Sequence, residues 1–171
     1  LDIAFELNNT SGRIDIIVND ERVGEQVRNE TVGGYASKVA VFPEVRQALL
    51  QLQQDMATRS GLVPDGRDMG TVVFPSAPVK IFLTASAKAR AERRVAQLQA
   101  AGVTDIDYQK IFEDIVARDK QDTERTSAPL KPAEDAVHID STALTIEQVL
   151  QEAITLAQVK VKTRGDHSCA Q

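Results

Sequence analysis

The sequence is poor in the residues that build disulfides and metal centres: among 171 residues it has one cysteine, Cys169, and two histidines. A lone cysteine excludes an internal disulfide and suits a reducing, cytoplasmic setting. So few soft ligands, without clustered spacing, argue against structural zinc. No run approaches the ~18 apolar residues of a membrane span, and no signal peptide opens the chain. Net charge is −5, which argues against wholesale nucleic-acid binding. A local group of arginines can still hold a phosphate. Repeats and low-complexity segments are absent, and so is an initiator methionine. Leu1-Asp2-Ile3 begins inside a strand-like pattern, so the chain reads as a fragment.

What is present is ordinary globular material: 42% hydrophobic and 26% charged residues, enough for one domain with a real core, or one with a small insert. Ile3, Phe5 and Leu7 alternate, as do Ile14, Ile16 and Val18, with the turn cluster Asn8–Gly12 between them. That predicts a β-hairpin. Asn29 is placed to cap a helix running to about Val41, weakened by Gly33 and Gly34. Pro43 suits a first helical position, and the helix it opens should end near Gly61. Leu62–Val63 and Val79–Leu83 read as short buried strands. Ser86 is a plausible cap for a helix ending at Gly102, with Ala91, Val95 and Leu98 inward. A further helix spans about 106–125, with Tyr108, Ile111, Phe112, Ile115 and Val116 inward. After a proline-containing loop, Ala128–Pro132, comes the strand Ala136–Ile139. Thr145 opens the last helix with a capping box to Gln148. Strands alternating with helices predict α/β with a parallel sheet, the hairpin and helix at the front forming a small insert.

The charged stretch lies at Pro64-Asp65-Gly66-Arg67-Asp68-Met69-Gly70-Thr71-Val72-Val73-Phe74, between the two expected strands. Two readings compete here: an ordinary surface turn, and a site at the strand ends of an open sheet. Arg118, Asp122 and Arg125 stack along one side of the 106–125 helix at i, i+4 and i+7, near the margin of its apolar stripe. Spacing alone leaves both a bound phosphate or sugar and a wet ion-pair ladder open. Arg90, Arg93 and Arg94 form a second basic cluster that is equally at home in solvent. Ser37 and Arg46 alone look like surface residues.

Asp65–Phe74, followed by Ala77-Pro78-Val79-Lys80-Ile81-Phe82-Leu83, resembles the central signature of bacterial cytidylate kinases. The match is long and ungapped, and the likeness covers nearly the whole chain except the last dozen residues. It implies a P-loop nucleoside monophosphate kinase-like parallel sheet flanked by helices, with an antiparallel β plus helix insert that binds nucleotide. The corresponding division is 1–60 for the insert and following helix, 61–162 for the core with a lid at about 86–102, and a polar, disordered tail at 163–171.

The resemblance also implies roles. Ser37, Arg46 and Asp68 match base-reading positions: a carboxylate and a guanidinium fork suit cytosine's amino donor and its ring acceptors. Arg67 and Arg125 match phosphate-holding positions, while Arg118 and Asp122 match ribose-holding ones. Arg90, Arg93 and Arg94 match lid arginines that close over the transferring phosphate, and a planar fork that stays charged suits that task. Catalysis would fall to Arg67, Arg125, Arg93 and Arg94. Mg²⁺ would arrive with ATP and bridge its phosphates, without direct protein ligands, and Asp65 would lie nearby. The implied reaction moves the γ-phosphate of ATP to CMP or dCMP. Its partners are those nucleotides, with neither nucleic acid nor membrane, and the parent would be a monomer.

One departure stands out. No G-x-x-x-x-G-K-[ST] run, the loop that cradles ATP phosphates, occurs anywhere in the 171 residues. The first strand and P-loop are therefore expected to be missing, together with another phosphate-binding arginine, and the chain alone to be inactive or weakly active. Loss of a central strand would expose its neighbours' edges and the apolar faces of flanking helices. Two alternatives remain: a non-catalytic fragment that binds nucleotide or self-associates, and a kinase for another monophosphate such as UMP.

Overall fold

The structure, a computed structural model, describes residues 2–10, 13–24, 27, 30–59 and 62–165. The chain divides into two compact units, 1–48 and 49–171.

In the first unit, β1 (Ile3–Asn8) and β2 (Arg13–Val18) pair antiparallel, Ile3 opposite Val18 and Asn8 opposite Arg13. The predicted hairpin is present. Alternation left a third strand unannounced: β3 (Glu21–Arg22) adds two residues to β2. Asn19 and Asp20 carry the turn with φ of 49° and 66°, a region that Asn and Asp tolerate better than most side chains. Arg22 then bridges Glu6 and Asp15 across the sheet's exposed face. Helix α1 (Glu30–Val39) follows, and α2 (Pro43–Arg59), most of which belongs to the second unit, opens on its proline as expected. Asn29 and Gly61, the proposed cap and stop, lie outside the described residues, as do Ser11 and Gly12 of the hairpin turn.

The second unit departs from expectation just after α2. Leu62 and Val63 form no strand, and Val63 is 99% exposed. Two apolar residues followed by a proline gain little from extension when no neighbouring strand offers backbone partners. The chain next makes one turn of π-helix, Met69–Val73. The Asp68 carbonyl accepts N–H groups from Thr71, Val72 and Val73, and Phe74 N reaches Met69 O at 2.7 Å. Period counting cannot see such a turn, and it is a common device at functional sites.

Strand β4 (Ile81–Thr84) starts two residues later than predicted and pairs parallel with β5 (Val137–Asp140), Ile81 opposite Val137 and Thr84 opposite Asp140. Residues 79 and 80 fall outside the ladder because the Lys80 carbonyl is the first to bond β5, accepting from Val137 N. Helix α3 (Ala87–Ala100) is capped by Ser86, whose side chain accepts from Ala89 N. It closes at Gly102, φ 81°. Ala91 is fully buried on its inner face.

Helix α4 (Tyr108–Glu124) is capped by Asp107. Tyr108 and Val116, read as inward, are each more than a third exposed, so the buried stripe is narrower than their spacing suggested. Arg125 has already left the helix, with φ −61° and ψ 142°; the i+7 stack therefore ends in a cap rather than on a helical face. Helix α5 (Ile146–Gly165) begins with the predicted box: Gln148 N donates to Thr145 Oγ1 and Thr145 N to Gln148 Oε1. It runs to Gly165, past the expected end at Lys162; the remaining tail lies outside the described residues. The α/β reading stands, with one parallel pair and one separate antiparallel sheet.

Among the described residues, the buried apolar ones are Val73, Ala91 and Ile139, while Leu83 on β4 and Leu150 on α5 are more than half exposed. Among the described residues, β4 and β5 pair only with each other.

Candidate functional site

The site in the second unit is built around a carboxylate. Asp122, on the last turn of α4, has a side chain only 3% exposed. A carboxylate so far from water must be paired or change its charge. Arg67 supplies the first partner, its Nε donating to Asp122 Oδ2. Arg125 supplies the second, with Nη1 3.7 Å from Oδ1 and a side chain 8% exposed. The loop before the π turn thus brings Arg67 to Asp122 and Arg125, which the sequence singled out on a different stretch.

The loop after α4 locks this arrangement. Arg125 Nε donates to Ala128 O at 2.7 Å, and Leu130 N donates to Asp122 O at 2.7 Å. Asp68, adjacent to Arg67 in sequence, is itself buried. Gln54 of α2 fastens the π turn from the other end, donating to Val73 O. Arg118 lies one turn before Asp122 and is half-buried. Its Nε is shielded from water and meets no acceptor among the described residues. Asp65 is exposed.

The α3 arginines go elsewhere. Arg90 clasps Asp119 of α4 through both terminal nitrogens, Nη1 to Oδ1 at 2.9 Å and Nη2 to Oδ2, while Nε donates to Ala85 O. The carboxylate's hydrogen bond, opposed by partial burial, raises the Arg90 pKa above its ordinary value. Arg93 reaches the turn after β5, donating to Ser141 Oγ and O and to Leu144 O. Ser141 is buried and donates twice to Thr84 O, through N at 2.7 Å and Oγ at 2.9 Å. Arg93 therefore meets the turn after β5, and Ser141 links that turn to the carboxyl end of β4. Arg94 Nη1 lies 3.5 Å from Gln97 Oε1 on its own helix.

At the same strand ends, Thr142 donates to Asp140 Oδ1 through its hydroxyl at 2.6 Å and its N–H at 2.9 Å. These bonds lower the Asp140 pKa. Sequence reasoning did not single out Asp119, Ser141 or Thr142. Asp119 and Ser141 find Arg90 and Thr84 29 and 57 positions away, so no local pattern could mark them; Thr142 bonds Asp140 two residues before it, a local turn pattern that could have.

In the first unit, Ser37 lies on α1 and Arg46 on the first turn of α2, both half-buried. Arg46 Nη1 approaches Ala40 O at 3.4 Å.

Among the described residues, no three His, Cys, Asp or Glu side chains converge on a point where a metal could sit. None of the helices there is long and apolar enough to cross a membrane.

A parallel strand pair and helices, with arginine forks gathered on carboxylates and carbonyls, define an α/β protein. A family model described as cytidylate kinase matches residues 1–159. The chain is 55% identical over 147 residues to a cytidylate kinase of Pasteurella multocida, covering 86% of this chain and 64% of that protein. It is 54% identical over 149 residues to one from Saccharophagus degradans, covering 87% and 66%. With one from Stutzerimonas stutzeri it shares 54% identity over 155 residues, covering 91% and 67%. The chain belongs to the cytidylate kinase family. It spans about two thirds of the length of these relatives.

Proposed function

We propose that this chain supplies the nucleotide-monophosphate site and the lid arginines of a kinase that moves the γ-phosphate of ATP onto CMP or dCMP, giving ADP and CDP or dCDP. The observation that carries this reading is the convergence of Arg67 and Arg125 on the buried Asp122, within a chain of this family. Two guanidinium groups held side by side by one carboxylate are oriented in advance and keep donors for a phosphate. Pre-orientation lowers the ordering cost of binding.

In this reading Ser37, Arg46 and Asp68 read the cytosine, and Arg118 and Asp122 hold the ribose. The shielded Arg118 Nε fits that role, because a buried donor without an acceptor costs free energy that a ligand oxygen would recover. Segment 86–102 acts as the lid, carrying Arg90, Arg93 and Arg94 to the transferring phosphate. The work lies in 1–60 as the monophosphate-binding part and 61–162 as the core. Mg²⁺ would enter on the ATP phosphates, needing few protein ligands. It would neutralise the charge between them, with Asp65 close by. The setting is the cytoplasm, and the whole protein works as a monomer.

Titration calorimetry with CMP, UMP and AMP tests the reading. CMP should bind most tightly; equal or absent binding of all three by the folded chain would overturn it. The 171 residues contain no G-x-x-x-x-G-K-[ST] run, so ATP turnover by them alone should stay at background in an ADP-release assay.

The exposed Leu83 and Leu150 favour one second reading, a self-associating chain without catalysis. Mass that rises with concentration in size-exclusion light scattering, together with no CMP binding, would select it.

A further inference from the structure

Ala128 carries a backbone conformation that its side chain does not favour. Its φ is 47°, in the left-handed region where Cβ crowds the following carbonyl. Pro129 comes next, and a residue before proline is biased toward extended conformations. Two independent pressures therefore oppose the observed geometry. A strained residue persists only where its surroundings over-determine it.

Those surroundings are specific. The left-handed turn sends the Ala128 carbonyl back toward the end of α4, where it accepts the Arg125 Nε–H at 2.7 Å. Two residues on, Leu130 N closes the loop on the Asp122 carbonyl at 2.7 Å. Arg125 itself has left the helix and is almost wholly buried. Its Nη1 stands 3.7 Å from Asp122 Oδ1, near enough for charge attraction but longer than a hydrogen bond. The carbonyl of Ala128 thus takes the one donor at the root of the fork. The two terminal nitrogens remain for an anion.

We infer that Ala128 is a positioning residue: its left-handed conformation anchors Arg125 by Nε and aims the rest of the guanidinium at the phosphate of the bound monophosphate. The inference rests on the proposed reading for what Arg125 binds. The anchor itself rests on the loop geometry alone.

The test uses the full chain, with Ala128→Gly, which accepts positive φ without strain, and Ala128→Val, whose branched side chain does not. Calorimetry with CMP and with cytidine, which lacks the phosphate, separates positioning from general damage. Ala128→Val should weaken CMP by about tenfold, equivalent to roughly 1.4 kcal/mol, and leave cytidine unchanged. Ala128→Gly should keep wild-type affinity for both. Equal CMP binding by wild type and Ala128→Val overturns the inference. So does a parallel loss of CMP and cytidine, or a glycine variant as impaired as the valine one.

If the wild type binds CMP no better than cytidine, the phosphate reading of Arg125 fails. The anchor is then decided by solvent exchange of the Arg125 Nε–H in the ligand-free chain. Slow exchange in wild type and Ala128→Gly, with fast exchange in Ala128→Val, supports it. Exchange at the rate of free arginine in the folded wild type overturns it, whether or not Ala128→Val folds.

Discussion

Arg67 and Asp122, 55 positions apart in sequence, are joined by a charge-assisted hydrogen bond from Nε to Oδ2. This bond ties the Pro64–Phe74 stretch directly to α4. Replacing Asp122 by Asn keeps the shape and removes the charge shared by Arg67 and Arg125. A partly buried arginine that loses its carboxylate costs ~1–3 kcal/mol, discounted here because Arg67 is itself 39% exposed. Urea midpoints should fall accordingly, and CMP affinity with them. An unchanged midpoint would show that the carboxylate is not a structural hub.

Base choice gives a separate prediction. With Asp68→Asn, the position can offer a donor where the carboxylate only accepts. The preference for CMP over UMP should shrink or reverse in a paired titration. If the ratio of the two affinities stays at its wild-type value, Asp68 does not read the base.

The pH response can be assigned to particular carboxylates. Lys80, its side chain 9% exposed, reaches Asp135 at 2.8 Å. This hydrogen bond holds the Asp135 pKa below its ordinary 3.8. A carboxylate with a depressed folded-state pKa adds stability above its unfolded value and loses it as pH falls through the folded one. Asp140 and Glu147 are depressed too, mainly by bonds from Thr142 and from the Glu147 backbone N–H respectively. Stability should therefore drop as pH falls below about 4. The gap between wild type and Lys80→Met should be widest above that range and narrow below it. A gap independent of pH would remove Asp135 from the account.

Helix ends offer two calibrated checks. Gly102 closes α3 at φ 81°, and an added Cβ there would meet nothing within 4 Å. Gly102→Ala should thus lose only the conformational term, ~1–2 kcal/mol, in a thermal or urea melt. Thr145→Ala removes the hydroxyl that accepts from Gln148 N and should cost ~1 kcal/mol. Losses well beyond these would mean the ends do more than cap.

These cases show how far local pattern reached. Helix limits came through where a cap advertises itself: Ser86, Thr145 and Pro43 each open the helix that was read from them. The hairpin followed from alternation. Leu62–Val63 failed because two apolar residues signal a strand only if a neighbour is there to pair. The π turn at Met69–Val73 failed because its i→i+5 bonds obey neither period. Of the residues proposed for the site, Arg67, Asp122 and Arg125 meet. Arg90 and Arg93 rest on Asp119 and on the Ser141–Leu144 turn.

The amino-acid order by itself determined the family, the alternation of strands and helices, and the residue types able to handle a phosphate. All three are written in side-chain identity and short-range spacing. Only the folded chain decided which charges share a partner, and that Ala128 bends back to hold Arg125. A charge's partner is whatever the low-dielectric interior brings within a few ångströms of it, and here that neighbour is up to 55 residues away.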